Sequence, residues 1–499
     1  MAKNNFMNLS LKIAKNTIIQ VASKFSSTIL GLLAVALMAR YLGQNGFGVY
    51  ATITTFASFF AILADLGLTL VTVQMISAPG ADENKLLGNL LTVRLLSALL
   101  FLGAAPLAAI FFPYGADVKT GIAIAALSFL FVALNQIMVG LFQKKLTMGR
   151  TAIAENLSRV VLLAGIYLVI KNQGTLLAML WVTVISSAIN FLVHWILAQN
   201  LVRFKLRYDR IIINQIMRRA WPLAVTIAFN LIYLKTDTLI LSLVKSEGEV
   251  GLYAAAYKII DVLVTLPFMF LGIVLPLLTS SWLKKELDYF KAITQKSFDF
   301  LIIIALPLVI GAQFLATDLV KLIAGDEFAA AGPILQILIL AAGLIFVSCL
   351  FSHLIIAIDR QTKIIGAYIF TGLTSVALYF FLIPRYSYFG AALGTVYSEL
   401  CITIFALYYA KKYIKFNLKL KLTFKSLAAS LLMAVFLAFW PSHFFSSSLL
   451  SLTTTIILAT LVYLFGLYIT RALDKKDWQL LRLHSTPRPS SSPLENNWQ

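Results

Sequence analysis

Cysteine is close to absent. Cys349 and Cys401 are the only two in 499 residues, and both fall inside apolar runs. That excludes a disulfide framework and a cysteine-based metal site. The four histidines, His194, His353, His443 and His484, are scattered without metal-ligand spacing. His194 and His353 are expected to be polar packing residues inside a bundle, and His443 and His484 interfacial ones. Charge is scarce as well. Asp, Glu, Lys and Arg make up 12% of the chain, where a soluble domain carries roughly 25%. There is no G-x-x-x-x-G-K-S/T phosphate loop, which argues against an ATP-driven pump, and neither a G-x-S-x-G elbow nor an H-E-x-x-H pair. No catalytic residue, metal site or cofactor is therefore expected.

What is present is hydrophobic: 60% of the residues. A water-soluble domain of this length has no interior large enough to hide them, so the bilayer is the solvent. A spanning helix needs roughly 20 mainly apolar residues. Fourteen segments qualify: 17–39, 47–76, 87–112, 119–142, 152–170, 175–199, 221–244, 250–280, 297–316, 331–357, 364–384, 389–410, 424–444 and 449–470. The N-terminus is basic (Lys3, Lys12, Lys15) and runs into the first segment without a small-residue cleavage site. It reads as a first membrane helix, not a removable signal.

The net charge of +20 is sorted by topology and does not point to nucleic acid. With both termini cytoplasmic, 30 of the 41 Lys and Arg fall on the inside and six outside (Arg40, Lys119, Lys171, Lys245, Lys321 and Arg385). Five lie within helices. One missed helix would mix the two sets from that point on, so the alternation supports an even count. The connector 200–220 carries Arg203, Lys205, Arg207, Arg210, Arg218 and Arg219 among Ile211, Ile212, Ile216 and Met217. It suits an amphipathic helix on the anionic inner leaflet. A second basic connector spans 411–425. The tail from Ser485 is rich in Ser and Pro and reads as disordered.

A short internal repeat supports the topology. Phe47-Gly48-Val49-Tyr50-Ala51 opens the second segment and Val250-Gly251-Leu252-Tyr253-Ala254 the eighth. The offset of six helices gives parallel copies, one of the known transporter plans. The expected architecture is all-α and polytopic, with two six-helix lobes and an accessory pair. The lobes are 1–219 and 220–416, the pair is 417–470, and a cytoplasmic tail covers 471–499.

Ionisable residues at membrane depth are costly and face protein or water. The bases are Lys24, roughly 10 Å into the first helix at 1.5 Å per residue, then Arg94, Arg159, Lys235 and Lys258. The acids are Asp65, Glu155, Asp237, Asp261 and Glu399. Glu155 with Arg159, and Lys258 with Asp261, share a helix face and are candidates for local neutralisation. Lys235 and Asp237, two apart, do not share one. Lys24, Arg94 and Asp65 have no partner in their own helix. Either they form bundle-holding interhelical bridges or they line a cavity. A cation-lined cavity attracts anions such as a diphosphate or an acidic sugar. The five bases are thus substrate-binding candidates. Asp65, Asp237 and Glu399 are candidates for binding a coupling ion, proton or sodium. Pro267, Pro276 and Pro307 favour kinks.

Ala39-Arg40-Tyr41-Leu42-Gly43-Gln44-Asn45-Gly46-Phe47-Gly48-Val49-Tyr50, with Ala64-Asp65-Leu66-Gly67-Leu68, Lys235-Thr236-Asp237-Thr238 and Val250 to Lys258, resembles the polysaccharide-transporter flippases. These form the Wzx-like branch of the multidrug/oligosaccharidyl-lipid/polysaccharide exporter superfamily. The resemblance spans all fourteen segments. It implies a central, generally cationic cavity, which agrees with Lys24, Arg94 and Arg159. It also implies movement of undecaprenyl-diphosphate-linked glycan to the outer leaflet of the bacterial inner membrane without ATP hydrolysis. The expected partners are the lipid-linked glycan, membrane lipids and polysaccharide polymerase and export machinery, with the chain itself monomeric. The lipid II flippase of peptidoglycan synthesis, also of fourteen helices, is the closest rival. The drug/cation antiporters usually have twelve and should show cavity acids without the bases. A membrane glycosyltransferase or polymerase would present a sizeable outer loop, and none is present.

Overall fold

The computed structural model describes residues 2–78, 80, 82–202, 204–440 and 448–472, with side chains from 19 onward except at 21, 222–223, 225–234 and 448. Arg203, His443, His484, the tail from 473 and the side chains of Lys3, Lys12 and Lys15 lie outside the described residues. Every regular element among the described residues is helical. Eleven helices there are long and apolar enough to cross a bilayer, which makes this a multi-pass membrane protein.

Several predicted segments are joined or broken differently from expectation. Helix α1 (Ala2–Asp65) covers the first segment and most of the second, turning at Gly43 (φ 65°, ψ −176°). Only glycine takes that conformation without strain. The predicted helix 47–76 does not run through. Leu66 and Gly67 both adopt positive φ, and Asp65 holds the break, accepting the Gly67 N–H (3.0 Å) and the Thr69 hydroxyl. A separate α2 (Leu68–Ile76) follows. Then come α3 (Glu83–Ile110), α4 (Ala116–Lys144), α5 (Gly149–Lys171) and α6 (Leu176–Gln199).

The basic connector does not form a helix of its own. Its second half is the start of α7 (Arg210–Val244). Ile216 and Ala220 are buried in one core with Leu87, Leu91, Ile137 and Leu141, and Ile212 and Ile213 pack against it. Its apolar face had a protein groove to enter, and burial there removes the same area from water as lipid would. Asp209 caps α7 through the N–H groups of Ile211 (3.0 Å) and Ile212 (3.3 Å), and pairs with Lys85 at 2.7 Å. The Lys85 ammonium first, and the Ile212 N–H next, hold the Asp209 carboxyl below the usual carboxylate range.

The remaining helices are α8 (Glu247–Leu283), α9 (Leu287–Ala324), α10 (Ala331–Ala357), α11 (Ile365–Ile414), α12 (Lys421–Phe439) and α13 (Ser448–Ile469). Helix α8 opens on a Ser246–Glu249 capping box, which satisfies two donors reciprocally. Like α1, α11 covers two predicted segments, turning at Ser387 (φ 50°, ψ −132°). Helices α1 to α6 pack on one another, as do α7 to α11, and α1 packs more extensively on α8 than on any helix of its own group. The pair α12–α13 lies on α9. There the Tyr463 hydroxyl bonds Ser426 (2.7 Å) and donates to the Ile303 carbonyl (2.8 Å). One core cluster crosses between the two groups, joining Ala39, Phe47 and Ala51 of α1 to α8, α9, α10 and α11.

Candidate substrate cleft

The two copies of the repeated pentapeptide meet face to face. A Cβ on Gly48 would overlap the carbonyl oxygen of Glu247, and one on Gly251 would overlap the carbonyl oxygen of Gln44. Each glycine therefore lies against the carbonyl four residues before the other, an arrangement that only backbone-to-backbone approach of α1 and α8 allows. Three further contacts close this end. The Arg40 guanidinium donates to the carbonyls of Ile323 (3.2 Å) and Leu322, at the negative end of the α9 dipole. The Gln44 amide donates to the Glu327 carbonyl. Phe47 meets the edge of Phe328, with centroids 5.9 Å apart. Tyr114 and Ser242 bond across the lobes at 2.9 Å.

Below this seal α1 and α8 diverge, and cations from both lobes enter the gap. Arg159 of α5 lies across α1 at Gly31, where an added Cβ would sit 3.5 Å from its Nη1. Arg159 and Lys258 of α8 are near enough to act electrostatically on each other and on the Tyr50 phenol. Lys235 of α7 sits 5.3 Å above the Tyr257 ring, a favourable cation–π placement. Lys258 pairs with Asp261 at 3.4 Å, and both stay about two-fifths exposed. One turn further along, the walls become apolar. A cavity of about 660 Å3 runs between Ala22, Phe25, Thr28, Ile29 and Leu32 of α1 and six residues of α8 from Val262 to Ile273. Lys24 is exposed on α1, one turn from Thr28.

Not every candidate side chain reaches this cleft. Arg94 is 2% exposed and packed inside the N-terminal lobe. Its Nη1 donates to Asp65 Oδ1 (2.5 Å) and the Asp65 carbonyl (3.1 Å), its Nε to the Ala133 carbonyl (2.9 Å) and its Nη2 to Thr69 (3.3 Å). Arg94 and Asp65 thus form an interhelical bridge, and the structure replaces the cavity position expected of Arg94 with an internal one. The pairing of Glu155 with Arg159 does not form among the described residues, because the guanidinium turns toward Gly31. Asp237 (1% exposed) and Glu399 (4%) are both buried in the C-terminal lobe. Asp237 accepts the Tyr253 hydroxyl at 2.6 Å and the Thr238 N–H at 2.5 Å. His194 and His353 both pack against rings and bond the carbonyl four residues earlier.

Gly31, Tyr50, Tyr257 and the Arg40 contact were missed by sequence reasoning. The repeat did point at Gly48 and Gly251, but nothing in it says that the two copies touch.

A family model described as "Polysaccharide biosynthesis protein" matches residues 13–282, more than half of the chain. No curated protein matches. Among solved structures, the fold is similar to that of the lipid II flippase MurJ in an inward closed conformation (TM-score 0.73, 17% identity, 91% of this chain and 98% of that one). It is also similar to an inward-facing multidrug resistance MATE transporter of the MOP superfamily (0.65, 15% identity, 80% and 98%). A third is a MOP superfamily transporter from Pyrococcus furiosus with a binding pocket of reverse polarity (0.59, 16% identity, 81% and 95%).

Proposed function

The chain belongs to the polysaccharide biosynthesis protein family, and from that premise we propose that it is a flippase for undecaprenyl-diphosphate-linked oligosaccharide. It works by alternating access in the bacterial inner membrane, without ATP hydrolysis and without catalysis of its own. The single observation that carries this reading is the order of surfaces along the cleft. Arg159, Lys235 and Lys258 sit directly above an apolar chamber between α1 and α8. A diphosphate on a polyprenyl chain has the same order, an anion followed by hydrocarbon. Guanidinium and ammonium donors meet phosphate oxygens, and the chamber takes methylenes at about 0.8 kcal/mol each. A drug exporter for cations would need the opposite charge at this place.

The seal carries Arg40 and lies beside Lys245 and Lys321, the sparse set of basic residues. The positive-inside rule places that end outward and the open chamber toward the cytoplasm. The arrangement is then the loading state. The coupling ion, proton or sodium, enters through a buried carboxylate of the C-terminal lobe. Polymerase and export proteins receive the product.

The test is translocation in liposomes carrying a fluorescent undecaprenyl-diphosphate oligosaccharide, read with an impermeant quencher. Lys258→Ala and Arg159→Ala should each slow movement about 10- to 100-fold, the equivalent of about 1.5–3 kcal/mol per charged hydrogen bond. Movement that is protein-dependent yet indifferent to both substitutions would sink the reading. Lipid II belongs in the same assay, because the fold likeness to its flippase favours it as the second cargo.

A further inference from the structure

Two carboxylates are buried in the C-terminal lobe, and their surroundings differ. Asp237 Oδ2 accepts the Tyr253 hydroxyl (2.6 Å) and the Thr395 hydroxyl (3.2 Å), and Oδ1 accepts the N–H (2.5 Å) and hydroxyl (3.2 Å) of Thr238. These donors come from α7, α8 and α11, with Lys235 on the same helix. An ionised carboxylate has about four acceptor sites, and here four donors meet it. Glu399 has none of this. It lies in the second arm of α11, and its backbone carbonyl takes the Thr403 hydroxyl, which also reaches the Leu344 carbonyl of α10. No hydrogen bond or ion pair reaches its side chain among the described residues, although it is 4% exposed.

The titratable groups around Glu399 offer no compensation. Tyr257 from α8, Cys349 from α10, and Tyr368 and Tyr379 from the first arm of α11 lie within its electrostatic reach. His353, one turn from Cys349, points its Nδ1 at the Cys349 carbonyl (2.7 Å). Among the described side chains of the outer half of α7 the charged groups are Asp237 and Lys235, and Lys235 is engaged with Tyr257. Among the described residues an ionised carboxylate here would be a buried charge without donor or counter-ion, which proteins avoid by binding a cation or a proton. A proton needs one oxygen.

We infer that Glu399, and not Asp237, is the site at which this protein binds a proton. The inference rests on the transport reading for its purpose but not for its existence. The event is reversible protonation of one carboxylate, with no other reactant. It is also placed to move the cleft. Thr395, which bonds Asp237, is one turn before Glu399 on α11, so the helix that carries the proton site also carries a donor to Asp237. Tyr253, the other donor to Asp237, is five residues from Lys258 on α8, the helix that walls the cleft.

The experiment is infrared difference spectroscopy of the purified full chain in proteoliposomes, following the carboxylic acid C=O band in a pH titration. A titrating band present in the wild type and in Asp237→Asn but lost in Glu399→Gln is the expected result. A band that survives Glu399→Gln, vanishes only in Asp237→Asn, or is displaced by sodium at constant pH overturns the inference. Glu399→Asp should keep the band with a shifted midpoint, and an unshifted midpoint also overturns it. In the glycolipid assay, a pH gradient should accelerate the wild type several-fold and leave Glu399→Gln unaffected, and equal acceleration of both would count against it. A wild type that shows the band but moves no glycolipid defeats the transport reading and leaves the proton site standing.

Discussion

In the N-terminal lobe a partly buried acid meets a buried cation: Asp65 accepts from Arg94 at 2.5 Å, and Thr69 and a backbone amide complete the set. In the C-terminal lobe Asp237 is met by hydroxyls and an amide, and Glu399 by no hydrogen bond or ion pair among the described residues. The two lobes share a helical plan and a repeated pentapeptide. Their interiors nevertheless handle charge differently, and the difference separates scaffold from function. A closed ion pair is neutral already and has no need of an ion from solution. A lone carboxylate in a low-dielectric interior is completed only by a cation from outside. On the inference above, the lobe that holds Glu399 is the one that would respond to a proton gradient.

That contrast can be broken or sharpened by substitution. Arg94→Ala should do the most damage, because it strands Asp65 without its counter-ion. A cost of about 3–5 kcal/mol is expected, read as loss of monodisperse protein or a lower melting temperature in detergent. Arg94→Met combined with Asp65→Leu should recover most of it, and failure to recover would show that the pair does more than hold helices. Gly48→Ala comes next. Its methyl has no room against Glu247, and overpacking of this kind costs about 1–3 kcal/mol. The lobes can escape that cost only by parting at the seal. Spin labels across Tyr114 and Ser242 should report a longer distance, with translocation reduced at least several-fold. Gly251→Ala should reproduce both effects, since the contact is reciprocal.

Asp237→Asn turns acceptors into donors facing donors, and about 1–2 kcal/mol of stability should be lost. Glu399→Gln is nearly isosteric with the protonated acid and breaks no bond, so its stability change should stay below about 0.5 kcal/mol. If the two substitutions destabilise equally, the distinction between the acids fails. The smallest effect belongs to Asp209. Its carboxyl titrates lower when folded than unfolded, so the Lys85 contact stabilises fully above the unfolded carboxylate range and is lost as pH falls through the lowered folded value. Asp209→Asn should flatten the acid side of a melting-temperature profile and leave the neutral side almost unchanged.

Much of the helical layout was legible beforehand because its signals are local. Apolar runs of spanning length and the sorting of Lys and Arg depend on residues near one another in the chain. The break at Leu66–Gly67 was written in the sequence too, as an Asp followed by a turn-competent glycine. An apolar run on both sides hid it. The start of α7 misled because amphipathicity specifies an apolar face without specifying its partner. A bilayer surface and a groove beside Leu87 and Leu91 satisfy the same pattern.

The candidate site was legible only as a list of residue types. Arg94, Arg159 and Lys258 are alike in composition and depth, and nothing local tells them apart. Arg94 finds Asp65 29 residues away. Arg159 finds Gly31 on another helix, and Lys258 keeps an acid on its own. The fate of a buried charge is set by whatever the packing brings within a few ångströms, because electrostatic and hydrogen-bond energies fall steeply with distance and rise with desolvation. By itself the sequence determined that the chain lives in a bilayer, how its apolar segments are spaced and that its two halves repeat. Only the tertiary structure decided that the repeats seal against each other through Gly48 and Gly251, which cations reach the cleft, and which acid is left without a partner. Those outcomes depend on contacts between residues far apart in the chain, and hydropathy carries no record of them.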